Sequence, residues 1–158
     1  MSYELIHFRD SDEILRNKNM ERDVELTLEY LDNVLYDSAI YASLTKQALK
    51  EMGWREPTNL NIAQGRRYQY KGYKNRIAIE GNFTVYEMIQ NALFRLQVGF
   101  DKGNIDIGII MVNNIRGANT PYGSTVELVE HEIGRFLYPT VSLPVAVALF
   151  NLGEPVNI

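Results

Sequence analysis

The stretch NIDIGIIMV, residues 104–112, is apolar almost without interruption. A run this short is far below the length of a membrane span. A strand that is apolar on both faces has to be covered on both faces. It therefore predicts a central strand in a sheet flanked by other elements. PVAVALF, residues 144–150, reads as the final strand. Between these two, Ser124 and Glu127 form a capping box, Ser/Thr-x-x-Glu, opening a helix that runs to about Leu137 and is ended by Pro139. A second capping box, Thr84 with Glu87, opens a helix with the apolar stripe Val85, Met88, Ile89, Ala92, Leu93, Leu96. Upstream, residues 13–36 predict one long helix, with Met20, Val24, Leu28, Leu31 and Leu35 on one face, and residues 38–52 a second, stopped by Gly53. WREPTNLNIAQG reads as a loop, and RRYQYK and NRIAIEGNF as two strands around a turn at Gly72. The order α-α-β-β-α-β-α-β is that of an α/β protein, a mixed sheet flanked by helices.

Composition narrows the function. The 158 residues include no cysteine, which removes disulfides and thiolate metal sites, and only two well-separated histidines, which disfavours a zinc centre. The N-terminus carries early acids and no apolar core, so a cytoplasmic protein is expected. The net charge of −4 argues against a protein that coats nucleic acid indiscriminately, but not against a DNA enzyme with local cations. The helix segment EHEIGR lacks the second histidine of a zinc-protease motif, and no phosphate loop or dinucleotide fingerprint occurs.

In RIAIEGNF, residues 76–83, Glu80 and Asn82 fall on the same face of a strand, about 7 Å apart. Such a face either meets water or builds a site. Mg²⁺ takes oxygen ligands and often only one or two carboxylates, so Glu80 beside a second polar group is a candidate centre for phosphodiester chemistry. Arg66, Arg67, Tyr68, Tyr70, Lys71, Tyr73, Lys74 and Arg76 crowd into the preceding eleven positions. Cations there suit phosphates; they equally suit a charged hairpin edge that resists pairing. Arg116, in an Asn-rich loop, is a further candidate DNA contact. Glu21, Glu25 and Glu29 form an acidic helix stripe, normally solvated, with one of them a candidate extra metal ligand. Asp106, inside an apolar strand, is either a site residue or the partner of a cation at the sheet margin.

The string NRIAIEGNFTVYEMIQNALFRLQVGFDKGNIDIGIIMV resembles the core of type II restriction endonucleases of the BglII group, in the PD-(D/E)XK nuclease superfamily. The resemblance covers roughly residues 20–152. It implies a restriction-endonuclease-like mixed sheet with an N-terminal helical pair, one nuclease-like domain over residues 1–158, and a homodimer acting on double-stranded DNA with Mg²⁺, or Mn²⁺ in its place. By the same resemblance Glu80 is a metal ligand. Asn82 stands where the superfamily has Lys and this group can have Gln, and would orient the attacking water. The other essential acid is expected several residues before Glu80, but YKGYKN contains no carboxylate; Asp106 or Glu25 would have to fill the gap. Two readings follow: a Mg²⁺-dependent DNA endonuclease, or a catalytically silent relative that binds DNA or a protein partner.

Overall fold

A computed structural model of the chain describes residues 3–62, 68–81, 83, 90–114, 125–136 and 138–153. Five strands form one mixed sheet: β1 (Tyr3–Phe8), β2 (Gly72–Lys74), β3 (Ile77–Glu80), β4 (Ile107–Asn113) and β5 (Val145–Phe150), in the order β1-β5-β4-β3-β2. The three central strands are mutually parallel and the two edges antiparallel. β4, the apolar run, is buried at every position and sits in the middle, as its two-faced hydrophobicity requires.

Because side chains alternate along a strand, the sheet splits the core in two. Ile77, Ile79, Ile107, Ile109, Ala146 and Ala148 point to one face. There they meet α1 (Ser11–Asn17), α2 (Glu21–Leu35) and α3 (Tyr41–Glu51) through Leu15, Leu28, Leu31, Leu35 and Leu49. Ala78, Ile110, Val112, Val145 and Val147 point to the other, against α4 (Gln90–Asp101), α5 (Thr125–His131) and the π-helical turn Glu132–Phe136 that follows it. α4 and α5 are the crossovers that parallel strands need.

Four sequence expectations are corrected. The N-terminal strand β1 escaped notice because Glu4 and His7 interrupt its apolar pattern; it is held as an edge against β5. The single helix expected over 13–36 is two, broken where Asn19 adopts a left-handed φ of 56°, a conformation asparagine tolerates. The loop beginning at Trp54 contributes to the core: Trp54 is fully buried, its indole N–H donates to Thr27 Oγ1 at 2.9 Å, and Arg55 bridges Tyr73 alongside β2. That segment covers the sheet edge. Finally, the hairpin turns at Asn75–Arg76, both at positive φ (49° and 61°), not at Gly72, which lies within β2 opposite Ile79. Two-residue hairpin turns ask for positive φ at both positions. This shift decides which residue lies on the side of Glu80.

Candidate functional site

Glu80 ends β3 at the carboxyl edge of the parallel strands, the side on which open α/β sheets usually bind ligands. It shares a face with Ala78, and α4 covers that face. Only 4 % of Glu80 is exposed, so the face meets neither water nor a purely apolar layer. Arg95 of α4 reaches down and donates through Nε to Glu80 Oε1 at 3.1 Å. Its guanidinium is held twice more, by the Gln69 carbonyl and by the ring of Tyr68, 4.3 Å from the centroid. Burial pushes the Glu80 carboxyl up; Arg95, Lys71 and the Gly81 N–H pull it down without cancelling the effect. Gly81 is obligatory beside it. Its φ is +110°, and a Cβ there would lie 2.3 Å from the Met111 carbonyl oxygen of β4.

The β2–β3 ladder ends at the Gly72–Ile79 pair, and Lys71, one step beyond it, lies on the side of Glu80, near enough for its charge to act on that carboxylate. This is the arm in which a second carboxylate was expected, and a half-buried ammonium occupies it. Burial pushes the Lys71 amine down, Glu80 opposes that, and Arg95 and Arg55 reinforce it. Lys71 also lines a cavity of about 240 Å³ together with Lys46, Arg55, Ala42, Thr45 and Leu49. Arg55 is fixed by donating from Nη1 to the Lys71 carbonyl at 2.7 Å. One buried carboxylate thus meets two cations, Arg95 and Lys71, and Lys71 shares its cavity with Lys46 and Arg55.

The other expected site residues are not brought to Glu80. Asp106 lies at the amino end of β4. Its N–H donates to the carbonyl of Arg76, four residues before Glu80 and so about 13 Å away along the strand. Its carboxylate accepts from Arg76 and from Lys18, which hold it below the ordinary range; it is the partner of cations at the sheet margin. Glu25 is exposed on α2, on the opposite face of the sheet, paired with Arg22 at 3.3 Å. Neither can share an ion with Glu80. Of the cations expected to meet DNA, Lys74 pairs with Asp23 at 2.7 Å and Arg76 with Asp106 at 3.0 Å. The tyrosines also turn inward. Tyr70 is buried against Gly99, with its hydroxyl pushed up to about 12, and Tyr73 donates to the Asn104 carbonyl. Asn82, Arg66, Arg67 and Arg116 lie outside the described residues.

The family model for restriction endonuclease BglII/BglIII matches residues 3–149. The chain belongs to the BglII/BglIII restriction endonuclease family. A solved structure, the crystal structure of free BglII, superposes with a TM-score of 0.57 at 18 % identity, covering 100 % of this chain and 81 % of that one. At that identity the likeness establishes the fold, an α/β restriction-endonuclease architecture. No curated protein matches.

The BglII-type family implies Mg²⁺, and the residues around Glu80 do not fit it. Mg²⁺ needs oxygen ligands and neutralising charge. Among the described residues Glu80 has no second carboxylate beside it, its Oε1 is taken by Arg95, and Lys71 brings a further cation. Among the described residues no group of three or more His, Asp or Glu could hold a metal ion. Sequence reasoning missed Arg95, Lys46 and Arg55. Arg95 lies on α4 with no motif around it, and Lys46 and Arg55 come together with Lys71 only through the packing of α3 on the β2 edge.

Proposed function

We propose that this BglII-family chain binds double-stranded DNA and that its Glu80 centre is catalytically silent toward Mg²⁺-dependent cleavage. Family and fold support DNA as what it acts on. The observation that carries the silent reading is Lys71, a cation whose charge acts on Glu80, in the hairpin arm where metal chemistry asks for a second carboxylate. Arg95 and Lys71 supply to Glu80 the positive charge a metal would supply, but neither can activate water as a metal does. Residues 1–158 are taken as one nuclease-like domain working in the cytoplasm, where duplex DNA is at hand. A homodimer is expected by the same lineage, checked by sedimentation.

The second reading is a Mg²⁺-dependent endonuclease. It is favoured by Glu80 itself, a buried carboxylate kept at the carboxyl end of β3. It requires a further acid from outside the described residues or from a second copy. One experiment separates the two. Wild type and Glu80→Ala are incubated with supercoiled plasmid and Mg²⁺ or Mn²⁺, beside a chelator control, and duplex binding is measured by anisotropy. Salt-sensitive binding without cutting is expected. Metal-dependent nicking that disappears in Glu80→Ala overturns the silent reading in favour of the nuclease. Absence of binding overturns the DNA assignment.

A further inference from the structure

Lys46, Arg55 and Lys71 line one small cavity, and among the described residues none of them has a carboxylate within ion-pairing distance. This is unusual in a chain of net charge −4. A larger cavity, about 570 Å³, lies at the amino end of the sheet and includes Arg76 and Lys102, but there Arg76 is already neutralised by Asp106. In the smaller one, Lys46, Arg55 and Lys71 line the wall beside Leu49 and Ala42, and Arg55 adds to burial in holding the Lys71 amine down. Thr45 offers no competing donor, since its hydroxyl donates to the Tyr41 carbonyl at 2.6 Å. Arg55 spends one N–H on the Lys71 carbonyl, which orients its fork and leaves the rest uncommitted among the described residues. At about 240 Å³ the space is below the roughly 300–1,000 Å³ of pockets for drug-sized ligands. It suits one compact anion.

We propose that Lys46, Arg55 and Lys71 form a phosphate-binding pocket at the β2 edge, and that its occupant is a backbone phosphate of duplex DNA. This rests on the DNA-binding reading above and gives it a point of contact. Guanidinium supplies a directional fork for phosphate oxygens, and the two ammonium groups supply charge. A free phosphate shares that chemistry, so the test carries both sources.

Lys46 is exposed on α3 and can be truncated without touching the core. Lys50, one turn further along and outside the cavity, is the control. Anisotropy of a labelled duplex is titrated across a range of KCl for wild type, Lys46→Ala and Lys50→Ala, and thermal unfolding is followed with and without inorganic phosphate. Each neutralised phosphate contributes about 0.9 to the slope of log K against log salt. Lys46→Ala is expected to weaken binding on every duplex sequence and to reduce the slope by about one, with Lys50→Ala unchanged. If wild type binds DNA and the two variants behave alike, the pocket is overturned while the DNA reading stands. If wild type does not bind DNA, that reading falls. Phosphate protection lost in Lys46→Ala then supports an anion pocket for a free phosphate and overturns the DNA phosphate as occupant; no protection overturns the pocket as well.

Discussion

The two ends of the β3–β4 pair are built from the same kinds of charge and use them differently. At the amino end, Asp106 faces Arg76 and Lys18, and nearby Lys74 faces Asp23. Each carboxylate there is partly exposed, and it is matched. At the carboxyl end, Glu80 is buried, paired among the described residues with Arg95 and acted on by Lys71, while Lys71 also lines a cavity with Lys46 and Arg55. Balanced pairs at a margin orient a hairpin and contribute little more. Charges perturbed by burial and by like neighbours, as Lys71 is, cluster at functional sites. The comparison teaches that charge surplus, rather than the number of charged residues, locates the site in this sheet.

The largest effect belongs to the backbone that delivers Glu80. Gly81→Ala places a Cβ 2.3 Å from the Met111 oxygen at a φ of +110°. Strain and overpacking together predict a loss of roughly 3 kcal/mol or more, read as a shift of the denaturation midpoint at unchanged slope. If Gly81→Ala is as stable as wild type, β3 does not close on β4 as described, and the carboxyl-end site dissolves with it. At the amino end, by contrast, Gly103 has nothing near its absent Cβ.

Next is Glu80→Ala, expected to destabilise by roughly 3 kcal/mol, because Arg95, 19 % exposed, is left as a buried charge without its partner. Glu80→Gln keeps an acceptor for Arg95 and is expected to be far milder. Its pH dependence has a definite sign. The raised Glu80 value means the native state keeps its proton to higher pH than the unfolded chain. Ionisation of Glu80 therefore lowers stability as pH climbs from the unfolded value to the folded one. Across that window Glu80→Gln should gain on wild type. A gain in the opposite direction would show that the surrounding cations outweigh burial.

Lys71→Asp sharpens the comparison from the cation side. It removes one surplus charge and places a second carboxylate where a cation now acts on Glu80. Divalent cations are expected to protect this variant against thermal unfolding and to leave wild type unaffected. At a metal concentration tenfold above the dissociation constant the gain is about 1.4 kcal/mol. Equal protection of wild type by Mg²⁺ would mean the unmodified site already binds metal, and the silent reading would fail.

Sequence patterning carried the layers and stopped short of the site. β4 and β5 were legible because continuous apolar runs have few other homes, and α2 and α3 because their stripes repeat with helical spacing. β1 was not, since an edge strand need not alternate cleanly, and Trp54 was not, since Pro57 and the asparagines around it look like loop while the indole is core. Glu80 was legible as a carboxylate out of place in an apolar strand. Its partners were not, because Arg95, Lys71 and Arg55 arrive from three separate segments and only the hairpin register aligns them. The basic-aromatic run was legible as charge but not as pairing, since a row of cations in sequence does not show that Lys74 and Arg76 are neutralised across the sheet.

The smallest expected effect is at the amino end, where Asp106→Asn should cost about 1 kcal/mol or less. Its carboxylate is 39 % exposed, and solvent screens both cations that hold it. Arg76 and Lys18 depress the Asp106 value, so its contribution is present above the unfolded value and disappears as pH falls through the folded one. The deficit of Asp106→Asn should therefore be seen at neutral pH and vanish in acid, opposite in sign to the trend at Glu80, and it should shrink in salt. DNA binding should be indifferent to it, because Arg76 still donates to the Gly103 carbonyl at 2.7 Å and stays with the hairpin. If Asp106→Asn instead raises duplex affinity and its salt slope, Arg76 was a masked phosphate contact. The amino end would then be a second DNA-facing margin rather than a structural clasp.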